Sequence, residues 1–228
     1  MNLKKILKKY KRKISYLISG GESYKNYWKH KKREKIETYI IDMYAPHRIW
    51  LTSFFNHANS ILEVGCDWGG ALVLMSETHL KVCEFYGVDI SPESIEIGRR
   101  YLFEKEINNI HLTEGCAKNL SNFPDSSVDI VFCNMLLLYI DPKEIQKVIK
   151  EFLRVANDSV YLLEFHSNKL KGVSDNSEDG WVYNYTKLLQ PITGSAIISI
   201  IKLPDNIHPK CRWNELATLI KIEKNKFK

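Results

Sequence analysis

An α/β fold with a mostly parallel sheet is what the sequence predicts, on three observations. Apolar runs with the length and branching of buried strands alternate with helical patterns from residue 60 onward. The first run, Ile61, Leu62 and Val64, breaks into a turn carrying Gly65, Gly69 and Gly70, so the backbone can turn sharply into a helix. The second, residues 82–88, ends on Asp89, and Ser91 and Pro92 behind it are suited to capping and opening the next helix. Strand, glycine turn, helix, strand and acid make up the nucleotide-binding half of a Rossmann-like sheet.

Two ligand chemistries use that layout. A dinucleotide site needs G-x-G-x-x-G so that a pyrophosphate can rest on the helix N-terminus. Here the turn is Gly65-Cys66-Asp67-Trp68-Gly69-Gly70, and the Asp67 carboxylate would repel a pyrophosphate. A net cationic ligand without phosphate suits Glu63 and Asp67 better. S-adenosylmethionine, with its sulfonium and amino groups, is such a ligand.

The residues 63–69, Glu-Val-Gly-Cys-Asp-Trp-Gly, resemble motif I (E/D-x-G-x-G-x-G) of the class I S-adenosylmethionine-dependent methyltransferases, with Asp67 at the second glycine. The likeness extends over roughly residues 45–165. It implies S-adenosylmethionine as cofactor and a Rossmann-like, seven-stranded, mostly parallel sheet, with an antiparallel last hairpin and N-terminal helices. It implies cofactor contacts at Glu63, Gly65, Asp67, Gly69, Asp89, Ile90, Cys116, Ala117 and Asn134, with Asp89 on the ribose hydroxyls. The family commonly has an acid for the adenine amino group near Cys116; a thiol replaces it poorly, which leaves the Cys116 and Ala117 backbone amides.

The chain divides into a basic helical extension, residues 1–44, and a methyltransferase domain, residues 45–228. The net charge is +6, but residues 1–35 hold 13 Lys/Arg against Glu22 and Glu34, while the remainder holds 20 bases and 25 acids. All of the excess positive charge therefore sits at the front. Leu3, Ile6, Leu7, Tyr10, Ile14, Leu17 and Ile18 form one helical stripe opposite a lysine face, before Gly20 and Gly21. Such a helix at residues 3–18 fits peripheral contact with an anionic membrane, and equally fits packing on the core. A nucleic-acid arm is not favoured, because arginine and aromatic interleaving is missing. No run approaches the ~20 apolar residues of a membrane span, and no secretory signal is present, so a cytoplasmic protein is expected, with attachment to the inner membrane face as the variant. The five cysteines have no ligand spacing, which argues for reduced thiols and no metal.

Helical character continues over residues 23–44, with Tyr24, Tyr27, Trp28, Tyr39, Ile40 and Met43 as inward candidates. Tyr44, His47 and Arg48, ahead of the first strand, are candidates by position for closing over the ligand. After Asp89 a helix over 92–106, a third strand over 109–117 and a fourth strand from Asp129 are expected. Methyltransferases of exocyclic amines and glutamine amides carry [DN]-P-P-[YF] after the fourth strand, whereas this chain reads Asn134-Met135-Leu136-Leu137. Nucleic-acid N-methylation thereby loses support, and Asn134 and Tyr139 remain beside the cofactor. Asp141 and Pro142 are read as the start of a helix through Val155. A fifth strand, 159–165, delivers His166 to the sheet edge that borders the ligand crevice.

Methyl transfer from a sulfonium is an in-line displacement, and a sugar or alcohol hydroxyl is a weak nucleophile. His166 is the expected general base, worth ~10²- to 10⁴-fold, with Tyr139 as the second catalytic candidate. Residues 168–180 read as a loop, and Trp181, Tyr183, Tyr185 and Leu188 as the start of a helix. Residues 195–203 and 215–223 read as the last hairpin. The expected activity is O-methylation of a small molecule or saccharide precursor, as in cell-surface polysaccharide synthesis. The alternatives are an RNA or protein methyltransferase holding its partner with the basic arm, and a non-catalytic module of the same fold.

Overall fold

The structure is a computed structural model that describes residues 22–30, 43–78, 83–170, 174–177, 180–194, 196–205, 207 and 215–224. The stripe at residues 3–18 and most of the helical segment expected over 23–44 lie outside these residues; within them, Glu22–His30 is a helix, α1.

Seven strands form the central sheet: β1 Ser60–Val64, β2 Glu84–Asp89, β3 Ile110–Glu114, β4 Val128–Asn134, β5 Ala156–Phe165, β8 Ile197–Lys202 and β9 Ala217–Glu223. Their order is β3-β2-β1-β4-β5-β9-β8. The first five run parallel, and β9 is antiparallel to both β5 and β8. The expected seven-stranded sheet with its antiparallel hairpin is therefore present. From β1 the chain steps outward to β2 and β3 and then returns to β4 on the other side of β1. That reversal opens a crevice at the strand C-termini.

Strand alternation divides the apolar residues into two cores. Ile61, Phe85, Ile130, Phe132, Tyr161 and Leu163 pack beneath helices α2 (Pro46–Thr52), α3 (Gly70–Thr78) and α4 (Pro92–Glu104). Leu62, Val131, Cys133, Val160 and Leu162 face α5 (Ile145–Val155) and α6 (Tyr185–Leu189). The parallel strands are covered on both faces, which explains their unbroken apolar runs. Gly98 of α4 has a packing reason, because a Cβ there would lie 2.3 Å from the Trp68 carbonyl oxygen in the glycine turn.

Polar locks fix the strand starts and the connections. Asp129 accepts from the Asn59 and Ser60 amides at 2.8 and 3.2 Å, while its own amide donates to Ser60 Oγ at 2.9 Å. This reciprocal pair sets β1 against β4. Arg154 of α5 donates to the carbonyls of Leu120 (3.0 Å) and Phe123 (2.9 Å) and pairs with Glu151 and Asp125, which pins the connection between β3 and β4.

Several elements differ from expectation. The fifth helix begins at Ile145, because Asp141 spends its carboxylate on the Lys143 amide (2.8 Å) and its carbonyl on the Glu144 and Ile145 amides, so residues 142–144 form a turn first. Within 168–180, Ser174–Ser177 is a strand, β6, paired antiparallel with β7, Gly180–Tyr183. Trp181 and Tyr183 accordingly lie on a strand, and the helix α6 starts only after Asn184, whose side chain accepts from the Lys187 amide at 3.2 Å. β3 ends at Glu114, and Gly115 turns away by donating to the Asp89 carbonyl at 2.8 Å.

Arg154→Ala would remove hydrogen bonds to the Leu120 and Phe123 carbonyls, of which only the Leu120 oxygen keeps another donor, the Phe123 amide. A loss of about 1–3 kcal/mol is expected, measured as a lower urea midpoint with unchanged slope.

Candidate active site

A cleft of about 360 Å³ opens at the C-terminal edge of the sheet, at the reversal between β1 and β4. That is within the ~300–1,000 Å³ typical of small-molecule sites. Glu63, Gly65, Asp67, Asp89, Ile90, Cys116, Ala117, Asn134 and Tyr139 all line it. Gly69 and His166 do not.

The glycine turn is held from below by the end of β2. The Gly65 and Cys66 amides donate to the Val88 carbonyl at 2.7 and 3.2 Å. Asp89 accepts from the Asp67 amide with one oxygen and from the Ser91 amide with the other, each at 2.9 Å. Asp67 sits at φ +53° with its carboxylate accepting from Ser94 Oγ at 2.7 Å. Gly65 has φ +79°, and a Cβ there would lie 3.0 Å from Leu136 Cδ1, so a side chain would be strained and would crowd the cleft. Gly69, at φ +88°, shapes the turn from outside the cleft and accepts from the Val73 amide at the head of α3.

The electrostatics are acidic and dry. Glu63 is buried, and burial pushes its carboxyl up to about 8, with Asp89 and Asp67 adding and Arg48 opposing. Its Oε2 has no hydrogen-bond partner, and neither do Asn134 Oδ1 and Arg48 Nε. Three orphaned polar atoms of cleft-lining residues are what a polar ligand would satisfy. Burial, followed by the Glu63, Asp89 and Asp67 carboxylates, holds the Cys66 thiol well up and so un-ionised.

The far wall comes from elements that the motifs do not reach. Asn134 ends β4, Met135 follows at φ +56°, and residues 137–139 form a single 3-10 turn. The Tyr139 ring lies 5.0 Å from that of Trp28 in α1, so the N-terminal extension contributes to the cleft wall. Lys118 and Glu144 both line the cleft and pair at 3.3 Å, joining the end of the β3 connection to the head of α5. Of the positional candidates, Arg48 lines the cleft. His47 is buried elsewhere, and Tyr44 is exposed, donating to Glu77 at 2.8 Å. Lys118, Asp141 and Glu144 are cleft residues that sequence reasoning missed, and no local motif marks them.

The expectation for His166 does not fit its position. An isolated bridge to Tyr183 carries the end of β5 under the β6–β7 hairpin, and the imidazole is 8% exposed. Nδ1 accepts from the Tyr185 amide at 3.1 Å, and burial lowers the ring's affinity for a proton. It ties β5 to α6 and is not presented to the cleft.

Residues 61–159 match the family model of a methyltransferase domain. The uncharacterized methyltransferase YcgJ of Bacillus subtilis is 30% identical over 107 residues, 46% of this chain and 40% of that protein. A demethylmenaquinone methyltransferase of Geobacillus is 27% identical over 135 residues, 58% of this chain and 54% of that protein. The chain thus spans about half the length of the curated relatives it matches. Among solved structures, geranyl diphosphate C-methyltransferase from Streptomyces coelicolor superposes with a TM-score of 0.64 at 14% identity, covering 90% of this chain and 98% of that one. A methyltransferase from Aquifex aeolicus gives 0.59 at 16% identity, covering 81% and 92%.

The raised Glu63 carboxyl fixes a sign. Its value of about 8 in the fold, against 4.5 ordinarily, means the folded state retains a proton that the unfolded chain has lost. Stability from this group is full below the ordinary value and falls as pH rises through that window, by up to about 1.4 kcal/mol per pH unit. Glu63→Gln should flatten this fall, so that thermal melts of variant and wild type diverge between pH 5 and 8 in favour of the variant.

Proposed function

We propose that this chain, whose residues 61–159 match the model of a methyltransferase domain and whose sheet has the class I S-adenosylmethionine-dependent methyltransferase fold, moves a methyl group from S-adenosylmethionine to an oxygen of a small molecule or saccharide precursor. The observation that carries this is the cleft itself, with three acidic side chains, Glu63, Asp67 and Asp89, around a bare glycine backbone. S-adenosylmethionine would supply a methyl group on a positively charged sulfur. The Asp67 carboxylate favours that charge and the amino group, Glu63 offers its unpartnered Oε2 as a polar contact, and Arg48 offers a cation for the carboxylate end. Asp89 retains lone pairs for the ribose hydroxyls after accepting from Asp67 and Ser91. Ile90 would border the base, and the Cys116 and Ala117 backbone would read its edge. Asn134 and Tyr139, on the far wall, would be the residues beside the departing methyl.

The position of His166 narrows the acceptor. With that imidazole outside the cleft, the reading favours an oxygen that needs no histidine to take its proton, such as a carboxylate. A uronic-acid unit of a saccharide would meet that description. Tyr139 is the hydroxyl-bearing aromatic of the cleft wall, and with Trp28 it offers flat faces to an acceptor ring. The basic stripe at residues 3–18 adds the proposal that the protein works against the anionic inner face of a membrane, as polysaccharide assembly would require. Among the described residues no helix is long and apolar enough to cross a membrane.

Calorimetric titration with S-adenosylhomocysteine should show saturable one-to-one binding, and Asp89→Asn should weaken it roughly tenfold, about 1.4 kcal/mol. Wild type without measurable heat would end the methyltransferase reading. Radiolabelled methyl transfer to a panel of carboxylates and sugar alcohols should favour the carboxylates, with His166→Ala leaving the ratio unchanged. Deleting residues 1–19 should release the protein from phosphatidylserine vesicles; equal sedimentation of both forms would remove the membrane proposal.

A further inference from the structure

Glu164 is buried under the cleft and does not line it. It lies on the face of β5 that packs toward α6, near the strand's C-terminal end. Its Oε1 accepts from the Leu136 amide at 2.8 Å, from the Leu137 amide at 2.8 Å and from Cys133 Sγ at 3.3 Å. One carboxylate oxygen thus gathers the backbone donors that open the 3-10 turn, where N–H groups otherwise have no partner. The segment it holds carries Leu136, whose side chain packs on Gly65, and Tyr139, whose ring packs on Trp28.

We infer that Glu164 is a positioning residue for the cleft: through the Leu136 and Leu137 amides its carboxylate sets where the segment after β4 stands, and losing its charge loosens that wall. The consequence for ligand binding rests on the cofactor reading above; the mechanical claim does not. A carboxylate oxygen accepts several donors at once, whereas a protonated acid has a weaker acceptor and a proton needing its own partner. Oε2, where that proton would sit, has no partner, and neither does the Tyr185 hydroxyl that faces Glu164 from α6.

The surroundings place the protonation in an accessible range. Burial pushes the Glu164 carboxyl up to about 7, opposed by the hydrogen bonds from Leu137, Cys133 and Leu136. The groups facing it are the Cys133 thiol from β4 and the Tyr185 hydroxyl from α6, both held protonated well above their ordinary values, and Thr218 is its cross-strand partner on β9. Glu63 lies beyond Cys133, on β1. Glu164 forms no ion pair with any described residue. Lowering the pH through neutrality should therefore protonate this carboxylate and relax the segment.

The test is an amide-resonance titration of the full chain from pH 5.5 to 8.5. Leu136 and Leu137 should shift together with one midpoint, and the Trp28 indole resonance should show a component at the same midpoint that Glu164→Gln abolishes. Glutamine keeps an acceptor oxygen of the same reach but cannot ionise. In parallel, S-adenosylhomocysteine affinity should fall about threefold or more from pH 8.5 to 5.5 in wild type beyond the change in Glu164→Gln, which subtracts the titration of Glu63. Flat Leu136 and Leu137 resonances would overturn the inference, as would a titration that Trp28 does not feel. Those readings come from wild type and stand even if the variant fails to fold. If wild type bound no S-adenosylhomocysteine at pH 8.5, the proposed function would fall and the resonances would still decide the mechanics.

Discussion

One carboxylate orders the ligand end of this protein. Asp89 stands at the C-terminus of β2 and accepts two backbone amides, that of Asp67 in the glycine turn and that of Ser91 at the head of α4. Both turns must adopt their positions relative to β2 for both bonds to form. Asp67 at positive φ and its bond from Ser94 follow from that arrangement, and so does the opening over Gly65. Charge-assisted bonds of this kind are stronger than neutral ones, and here a single group ties three elements to one another.

The same end of the sheet gathers more negative charge than the dry interior accepts readily. Glu63 responds by holding its proton toward pH 8, and Glu164 by holding its own toward 7. The two sit on opposite faces of the sheet, Glu63 with α2 and its Arg48, Glu164 with α6. Their partners differ accordingly. Glu164 has backbone amides and keeps a wall in place; Glu63 has a distant guanidinium and an oxygen with no partner. The first arrangement is internally satisfied at one oxygen. The second is completed only by something that enters the cleft.

How legible this was in the sequence follows from how local each feature is. The strand, turn and acid from Ser60 to Asp89 could be read because strand length, glycine placement and capping residues act on near neighbours, and the seven-stranded sheet was implied by the family resemblance those residues carry. Arg48 could be named only by its place ahead of the first strand, and Trp28, Lys118 and Glu144 could not be read as cleft residues, since each reaches the cleft from a segment with no spacing code of its own. His166 was misplaced for a specific reason. Ser174–Ser177 is polar enough to look like a loop and Gly180–Tyr183 aromatic enough to look like a helix start, so the hairpin that folds over the end of β5 left no signature. Alternation along a strand assigns a side chain to a face; it does not show that a later hairpin will cover that face.

The strand order also bears on how the chain must be made. β9 lies between β5 and β8 in the sheet although it follows both in sequence. While the chain is emerging from a ribosome, β8 therefore has no neighbour to pair with until residue 217 and those after it are available. During that interval an isoleucine-rich strand stands uncovered, and even in the finished fold Ile197 and Ile200 keep 56% and 40% of their surface. Such a segment invites pairing with another chain. β9, made after both of its neighbours, is thus the strand that gives β8 its place in the sheet, and until it is made both sides of that isoleucine-rich strand stand open where the finished fold leaves only one.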